Sequence, residues 1–234
     1  MENKTAKIFF DGLSLLGLKL DAGQIGQFDS YLSELLFWNG KINLIGPAPA
    51  EEIITRHFLD SLSAASTLKE VLGPSLAASE GAAVDTIGHK MACGPRVADI
   101  GTGAGFPGLP LKIAMPEIQL TLIDSISKKT EFLRHICKKL DISAEIICER
   151  AEDVAKKSTN PASGGFDAVI ARAVAKPEEL KKLGFPLLNP GGFLVLHVSA
   201  KTLAELDGEN IFAKTAVPEK ILPGRAVIAI KKPA

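Results

Sequence analysis

The chain has 234 residues, 46% of them hydrophobic, with 27 basic side chains against 27 acidic ones. That length buries a sizeable core, and the balanced charge excludes a global field as the means of finding a nucleic acid, so any RNA contact must come from a local patch. Three cysteines, Cys93, Cys137 and Cys148, are too scattered for a CxxC metal site and odd in number, which fits a reducing cytoplasm rather than a disulfide framework.

Acids and lysines are mixed into the apolar residues at the start, against a secretory signal, and no run of about 18 apolar residues predicts a membrane span. Ile8, Phe9, Leu13 and Leu16 stand at helical spacing and predict a helix over about 5–18. Ile25, Phe28, Leu32, Leu35 and Leu36 predict a second over 22–39, and a third amphipathic piece covers 49–66. Residues 1–70 thus read as an N-terminal helical cap. Between its second and third helices Trp38, Asn39 and Asn43 crowd a turn, Trp38 as a core anchor and the asparagines bonding their own backbone. Residues 71–95 are poor in large apolar side chains and read as a flexible linker or insertion. His89 and Cys93 stand four apart inside it, but two ligands do not hold a metal, and no metal site is predicted.

Residues 96–111, RVADIGTGAGFPGLPL, have the grammar of a buried strand, a tight turn and a helix. Asp99 stands two residues before Gly101, and Gly103, Gly105 and Gly108 follow. Glycine is needed where the turn takes positive φ and where a ligand must touch the backbone. The helix behind it is expected to offer free N–H groups and a positive dipole end, with Pro107 near its start. Two ligands compete. Gly103-x-Gly105-x-x-Gly108 satisfies the dinucleotide fingerprint, the pattern of a nicotinamide-dependent oxidoreductase. Asp99, expected to face the space above the glycines, would repel a pyrophosphate and welcome the ammonium of S-adenosylmethionine.

Strands are then predicted over 119–124, ending in Asp124, and over 144–148, 166–171 and 193–198. Ser127 caps a helix to about residue 140, another helix starts at Pro177, and Asn189 to Gly192 turns the chain into the fifth strand. Segments 211–215 and 226–231 form a closing pair. Residues 96–234 thus read as a parallel sheet covered on both faces. In such sheets ligands sit beyond the carboxyl ends of the strands. That rule selects Asp99, Gly101 and Gly103, then Asp124 for both ribose hydroxyls. It further selects Arg150, Ala151, Glu152 and Asp153 for an adenine edge, and Arg172 after the fourth strand. No Asn/Asp-Pro-Pro-aromatic segment and no suitably placed cysteine occurs, which leaves transfer to an atom that is already nucleophilic.

The segments W-N-G-K-I-N-L (38–44), R-H-F-L-D-S (56–61), D-I-G-T-G-A-G-F-P-G-L-P-L (99–111), L-I-D-S-I-S-K-K (122–129) with E-F-L (131–133), and F-D-A-V-I-A-R-A (166–173) stand in the order found in one family. The chain resembles the small-subunit (16S) ribosomal RNA guanine-N7 methyltransferases, also called glucose-inhibited division protein B. The resemblance implies an α/β, class I S-adenosylmethionine-dependent methyltransferase fold, Rossmann-like with a mostly parallel seven-stranded sheet, beneath the helical cap. It implies S-adenosylmethionine as cofactor and 16S rRNA or the small ribosomal subunit as partner, with neither DNA nor membrane, for a cytoplasmic monomer.

Carried over by position, Gly101 and Phe106 lie on the methionine and adenosine side, Ala151 and Glu152 at the adenine, and Arg172 closes the site and positions the reactants. Trp38, Asn39, Asn43, Arg56, His57 and Asp60 become candidates for handling substrate or holding the cap on. Lys128, Lys129, Arg134, Lys138 and Lys139, with Arg172 and Lys176, are candidates to meet phosphates. Three departures stand out: His197 and Val198 replace the family's usual lysine and glycine, Ala226 follows Arg225 where a histidine is common, and the 71–95 segment is long. They leave a non-catalytic RNA-binding assembly protein as a further alternative.

Overall fold

The computed structural model describes residues 1, 3–79, 94–157, 165–172, 177–206 and 211–233. His89, Cys93, Lys176 and most of the expected insertion lie outside them.

Seven short apolar segments form one sheet: β1 (Arg96–Ile100), β2 (Gln119–Ile123), β3 (Ala144–Ile147), β4 (Phe166–Arg172), β5 (Leu188–Ser199), β6 (Ile211–Ala216) and β7 (Arg225–Lys231). Their order is β3-β2-β1-β4-β5-β7-β6, parallel from β3 to β5 and antiparallel where β7 enters between β5 and β6. This is the expected Rossmann-like, mostly parallel seven-stranded sheet. Alternation along each strand divides the core in two. Val97, Leu120, Leu122, Ile170, Val195 and Val227 face one side, under α6 (Gly108–Ala114), α7 (Ser127–Lys139) and the cap. Ala98, Ile123, Val169, Leu194 and Ile228 face the other, under α8 (Ala151–Lys157) and α9 (Pro177–Gly184).

The cap starts with α1 (Asn3–Leu15) and α2 (Ala22–Ile42), the second opened by a capping box between Asp21 and Gln24. Since α2 runs to Ile42, Trp38 and Asn39 lie on a helix rather than in a turn, and only Asn43, at φ 48°, turns the chain. Asn39 still serves its own backbone, its Oδ1 accepting from the Ile45 N–H at 2.8 Å. The third piece is helical from α3 (Ala50–Ile53) through a π-helical stretch (Ile54–Leu59) into α4 (Asp60–Leu62).

Three local expectations are corrected. Helix α5 (Ala65–Ser79) continues into the segment expected to be a linker, because Leu68, Val71 and Leu72 give it a buried stripe and its alanines favour a helix. Ser127 is the first helical residue of α7, not its cap; Ile126 holds that place, its N–H bonded to Asp124. Asn189 to Gly192 sits inside β5 as a bulge, since Phe166 pairs with Leu188 but Ala168 with Phe193. Among the described residues no helix is long and apolar enough to cross a membrane.

Candidate active site

Strands β1 and β4 are neighbours from which the order departs to opposite sides, so the crevice beyond their carboxyl ends is the topological switch point. Its lip is the loop from Gly101 to Pro107, where Gly101 (φ +67°), Gly103 (+61°) and Gly105 (+102°) adopt the left-handed region. Gly101 is exposed, and a Cβ built on Gly103 would meet nothing within 4 Å. At Gly103 the lip is therefore bare backbone facing open space, whereas Gly105 is packed against Leu109 and Tyr31. Asp124 pins it: one carboxylate oxygen accepts the Gly103 N–H and the other the Ile126 N–H, both at 2.9 Å. Ile126 leaves its side chain 47% exposed beside that acid, an apolar contact the sequence reading did not single out.

Asp99 does not face the space above the glycines. It is fully buried beneath the loop, where Oδ2 accepts from Thr102 Oγ1 at 2.6 Å and from the Gly108 N–H at 2.8 Å, while Oδ1 has no partner. Its work is to close the turn. Nor does α6 offer free N–H groups. Gly108 donates to Asp99, Leu109 to the Gly105 carbonyl at 2.8 Å, Leu111 to that of Pro107 at 3.3 Å, and residue 110 is proline. A pyrophosphate has no helix end to sit on, which removes the basis of the dinucleotide reading.

Burial raises the Asp99 carboxyl from 3.8 to about 7, against the bonds from Thr102 and Gly108. Between those values the folded chain holds a proton that the unfolded chain has lost, so this group makes stability fall as pH rises through that window. Asp99→Asn keeps an oxygen for both donors and is expected to flatten that slope in urea unfolding between pH 4.5 and 7.5. Equal slopes in the two proteins would contradict this.

Arg172, the last residue of β4, is met by the cap. Its Nη1 donates to the Arg56 carbonyl at 2.7 Å and to Asp60 Oδ2 at 3.2 Å, its Nη2 donates to His57 Nδ1 at 2.8 Å, and its guanidinium lies 5.1 Å from the Phe106 ring. Arg56 and His57 lie in the π-helical stretch and Asp60 directly follows it; such widened helical turns are frequent at functional sites. Asp60 is 2% exposed and Arg172 12%, so the ion pair is screened by little water. Burial works against the Asp60 charge, but His197, Arg172 and Arg225 outweigh it and hold the carboxyl below the usual range. His197 thus joins the cluster: it is the register partner of Arg172, with Nδ1 3.6 Å from Asp60 Oδ1. Ala226 lies opposite Val198, one position along.

Tyr31, the chain's one tyrosine, ties α2 to the lip. Its hydroxyl donates to the Ala104 carbonyl at 2.5 Å, and its ring stacks on Phe106 at 5.5 Å and 14°. The sequence reading overlooked it inside an apolar helical stripe. Tyr31→Phe leaves that carbonyl unpaired and is expected to cost about 1 kcal/mol in urea unfolding. An unchanged unfolding midpoint would show that the bond does not hold the loop.

Arg56, His57, Asp60, Phe106 and Arg172 are thus brought together. The Arg56 side chain is itself exposed and paired with Glu52 at 3.0 Å; only its carbonyl faces the cluster. No hydrogen bond or ring contact joins Trp38, Asn39 or Asn43 to that group. Trp38 lies instead against Phe132 and His135 of α7, at 5.9 and 5.0 Å. Ala151 and Glu152 stand on the first turn of α8, Ala151 half-buried and Glu152 exposed. Lys128, Arg134 and Lys138 are exposed on α7, with exposed Glu131 among them, while Lys139 is paired with Glu34 at 3.6 Å.

The model of a family described as GidB, rRNA small subunit methyltransferase G, matches residues 24–72 and 82–221. The ribosomal RNA small subunit methyltransferase G of Roseiflexus castenholzii is 40% identical over 203 residues, 86% of this chain and 74% of that protein. Its namesake in Dehalococcoides mccartyi strain CBDB1 is 38% identical over 222 residues, 94% of this chain and 81% of that one. That of Aquifex aeolicus is 40% identical over 167 residues, 71% and 72% of the two chains. The matched residues take in both the cap helices that hold Arg172 and the strands that carry the glycine lip, and by that extent the chain belongs to the GidB family, rRNA small subunit methyltransferase G.

Proposed function

We propose that this protein transfers a methyl group from S-adenosylmethionine to N7 of a guanosine in 16S ribosomal RNA. The observation that carries the reading is the pair of left-handed glycines at the switch crevice, Gly101 exposed and Gly103 with open space where a side chain would stand, with Asp124 bonded to the second. A cofactor with an adenosine and no phosphates suits that lip: Asp124 keeps lone pairs for ribose hydroxyls, Ile126 gives an apolar wall, and Ala151 and Glu152, on the first turn of α8, are the residues we assign to the adenine edge. S-adenosylmethionine, when bound, supplies an electrophilic methyl group on a sulfonium. Guanine N7 presents an in-plane lone pair and no proton, so the chain has no general base to provide and its task is orientation. The partners of Arg172 agree with that, because Asp60 Oδ2 and His57 Nδ1 already accept from the guanidinium.

We assign an RNA-facing role to exposed Lys128, Arg134 and Lys138 of α7, and an unstacked guanine is the readable target. The test is methyl transfer to small-subunit RNA from cells that lack the protein, followed by mapping of 7-methylguanosine along the RNA. One new site, together with calorimetric binding of S-adenosylmethionine and none of NAD, is the expected result. No 7-methylguanosine above background, with the cofactor bound, would overturn the assignment of the acceptor atom.

A further inference from the structure

Among the described residues His57 has a hydrogen-bond partner on only one of its ring nitrogens. Nδ1 lies 2.8 Å from Arg172 Nη2, and a guanidinium has donors only, so Nδ1 is the acceptor. A neutral imidazole that accepts at Nδ1 carries its proton on Nε2. Burial first, and then the charge of Arg172, bring its pKa down to about 4, so the ring is uncharged at neutral pH. Among the described residues no hydrogen bond engages Nε2, and it is not among the atoms sealed from water. The ring lies 4.9 Å from that of Phe106, which follows Gly105 in the lip loop. The cap therefore holds beside the lip loop one uncharged N–H donor whose tautomer is set by the bond to Arg172.

The Hoogsteen edge of guanine carries two acceptors, N7 and O6, whereas adenine places an amino group where guanine has O6. A base that must offer its N7 lone pair to a methyl group is best held by its neighbour O6. A donor bonded to N7 itself would block the reaction. The donor should also be uncharged, because the methylated base becomes a cation and a nearby histidinium would oppose that charge. We infer that His57 selects guanine by donating its Nε2–H to O6 of the acceptor base, leaving N7 bare. The inference rests on the proposed function and names the residue that enforces its base choice.

The test crosses a deletion in the enzyme with one in the RNA. The enzyme is wild type or His57→Leu; the RNA carries guanine or 2-aminopurine, which lacks O6, at the acceptor position mapped with the wild type. Wild type is expected to lose about 10-fold in kcat/KM on the 2-aminopurine RNA, the worth of one base-edge hydrogen bond. His57→Leu should lose a similar factor on guanine and then be nearly indifferent to the missing O6. His57→Gln, which retains an N–H donor, should recover part of the loss. Two losses that simply multiply would overturn the inference. Equal rates of the wild type on the two RNAs would do so as well, whether or not the variant folds. If the wild type makes no 7-methylguanosine at all, the proposed function fails first and this inference falls with it. A wild type that methylates guanine but shows no coupling to His57 sinks the inference alone.

Discussion

Gly101→Val is expected to abolish measurable binding of S-adenosylmethionine, a loss of at least about 100-fold, while the protein still unfolds in one cooperative transition. The residue sits at φ +67° on the exposed lip. A β-branched side chain there resists the left-handed region, at roughly 1–2 kcal/mol, and fills space a ligand must use to reach the backbone. The strain is small against ordinary domain stability, so the fold survives. The neighbouring loop bonds do not involve a side chain at 101: the Gly101 N–H donates to the Ile123 carbonyl at 2.9 Å, which valine can repeat. Calorimetry decides the matter, with urea unfolding as control. Tight binding by a folded variant would remove the cofactor from this lip.

Arg172→Ala is expected to lower kcat/KM at least about 100-fold and also to cost about 3 kcal/mol of stability. From the sequence alone, a residue beyond a strand end should matter to activity more than to stability. The geometry changes that expectation. Removing the guanidinium takes the hydrogen-bonded cation from the buried Asp60 carboxylate, leaving it His197 and Arg225, and frees the Arg56 carbonyl and His57 Nδ1 together. Breaking a buried pair from one side leaves a charge with less compensation and little water, which is why the cost exceeds that of a surface ion pair. Arg172→Lys restores a charge beside Asp60 but cannot span three acceptors with one ammonium, so stability should recover further than activity. A stability loss under 1 kcal/mol in the alanine variant would mean that the cap does not depend on this latch. Rates and urea unfolding at pH 7 measure both effects.

The helices of the cap, the seven strands and the glycine lip were legible because their signals are local. Phe28, Leu32 and Leu35 recur at helical spacing within two turns, Val97 to Ile100 form an apolar run, and the left-handed positions at 101, 103 and 105 are all glycine. The strand ends then pointed to Asp124 and Arg172 through a rule about where open sheets bind. Local signals failed where composition stood in for packing. Residues 72–79 looked like a linker, yet Leu68, Val71 and Leu72 gave the helix a side to bury, and Asn189 to Gly192 looked like a turn but formed a bulge within β5.

The sequence by itself determined which segments alternate, where the backbone must lie bare, and which acids and bases end the strands, since each depends on a dozen neighbouring residues. Only the tertiary structure decided how those groups use their hydrogen bonds. Asp99 turned inward to hold Thr102 and Gly108, the start of α6 used up its own N–H groups, and Arg172 met His57 from 115 residues away. A donor goes to whichever acceptor the packed chain brings nearest, and that competition among distant groups has no period or spacing along the sequence.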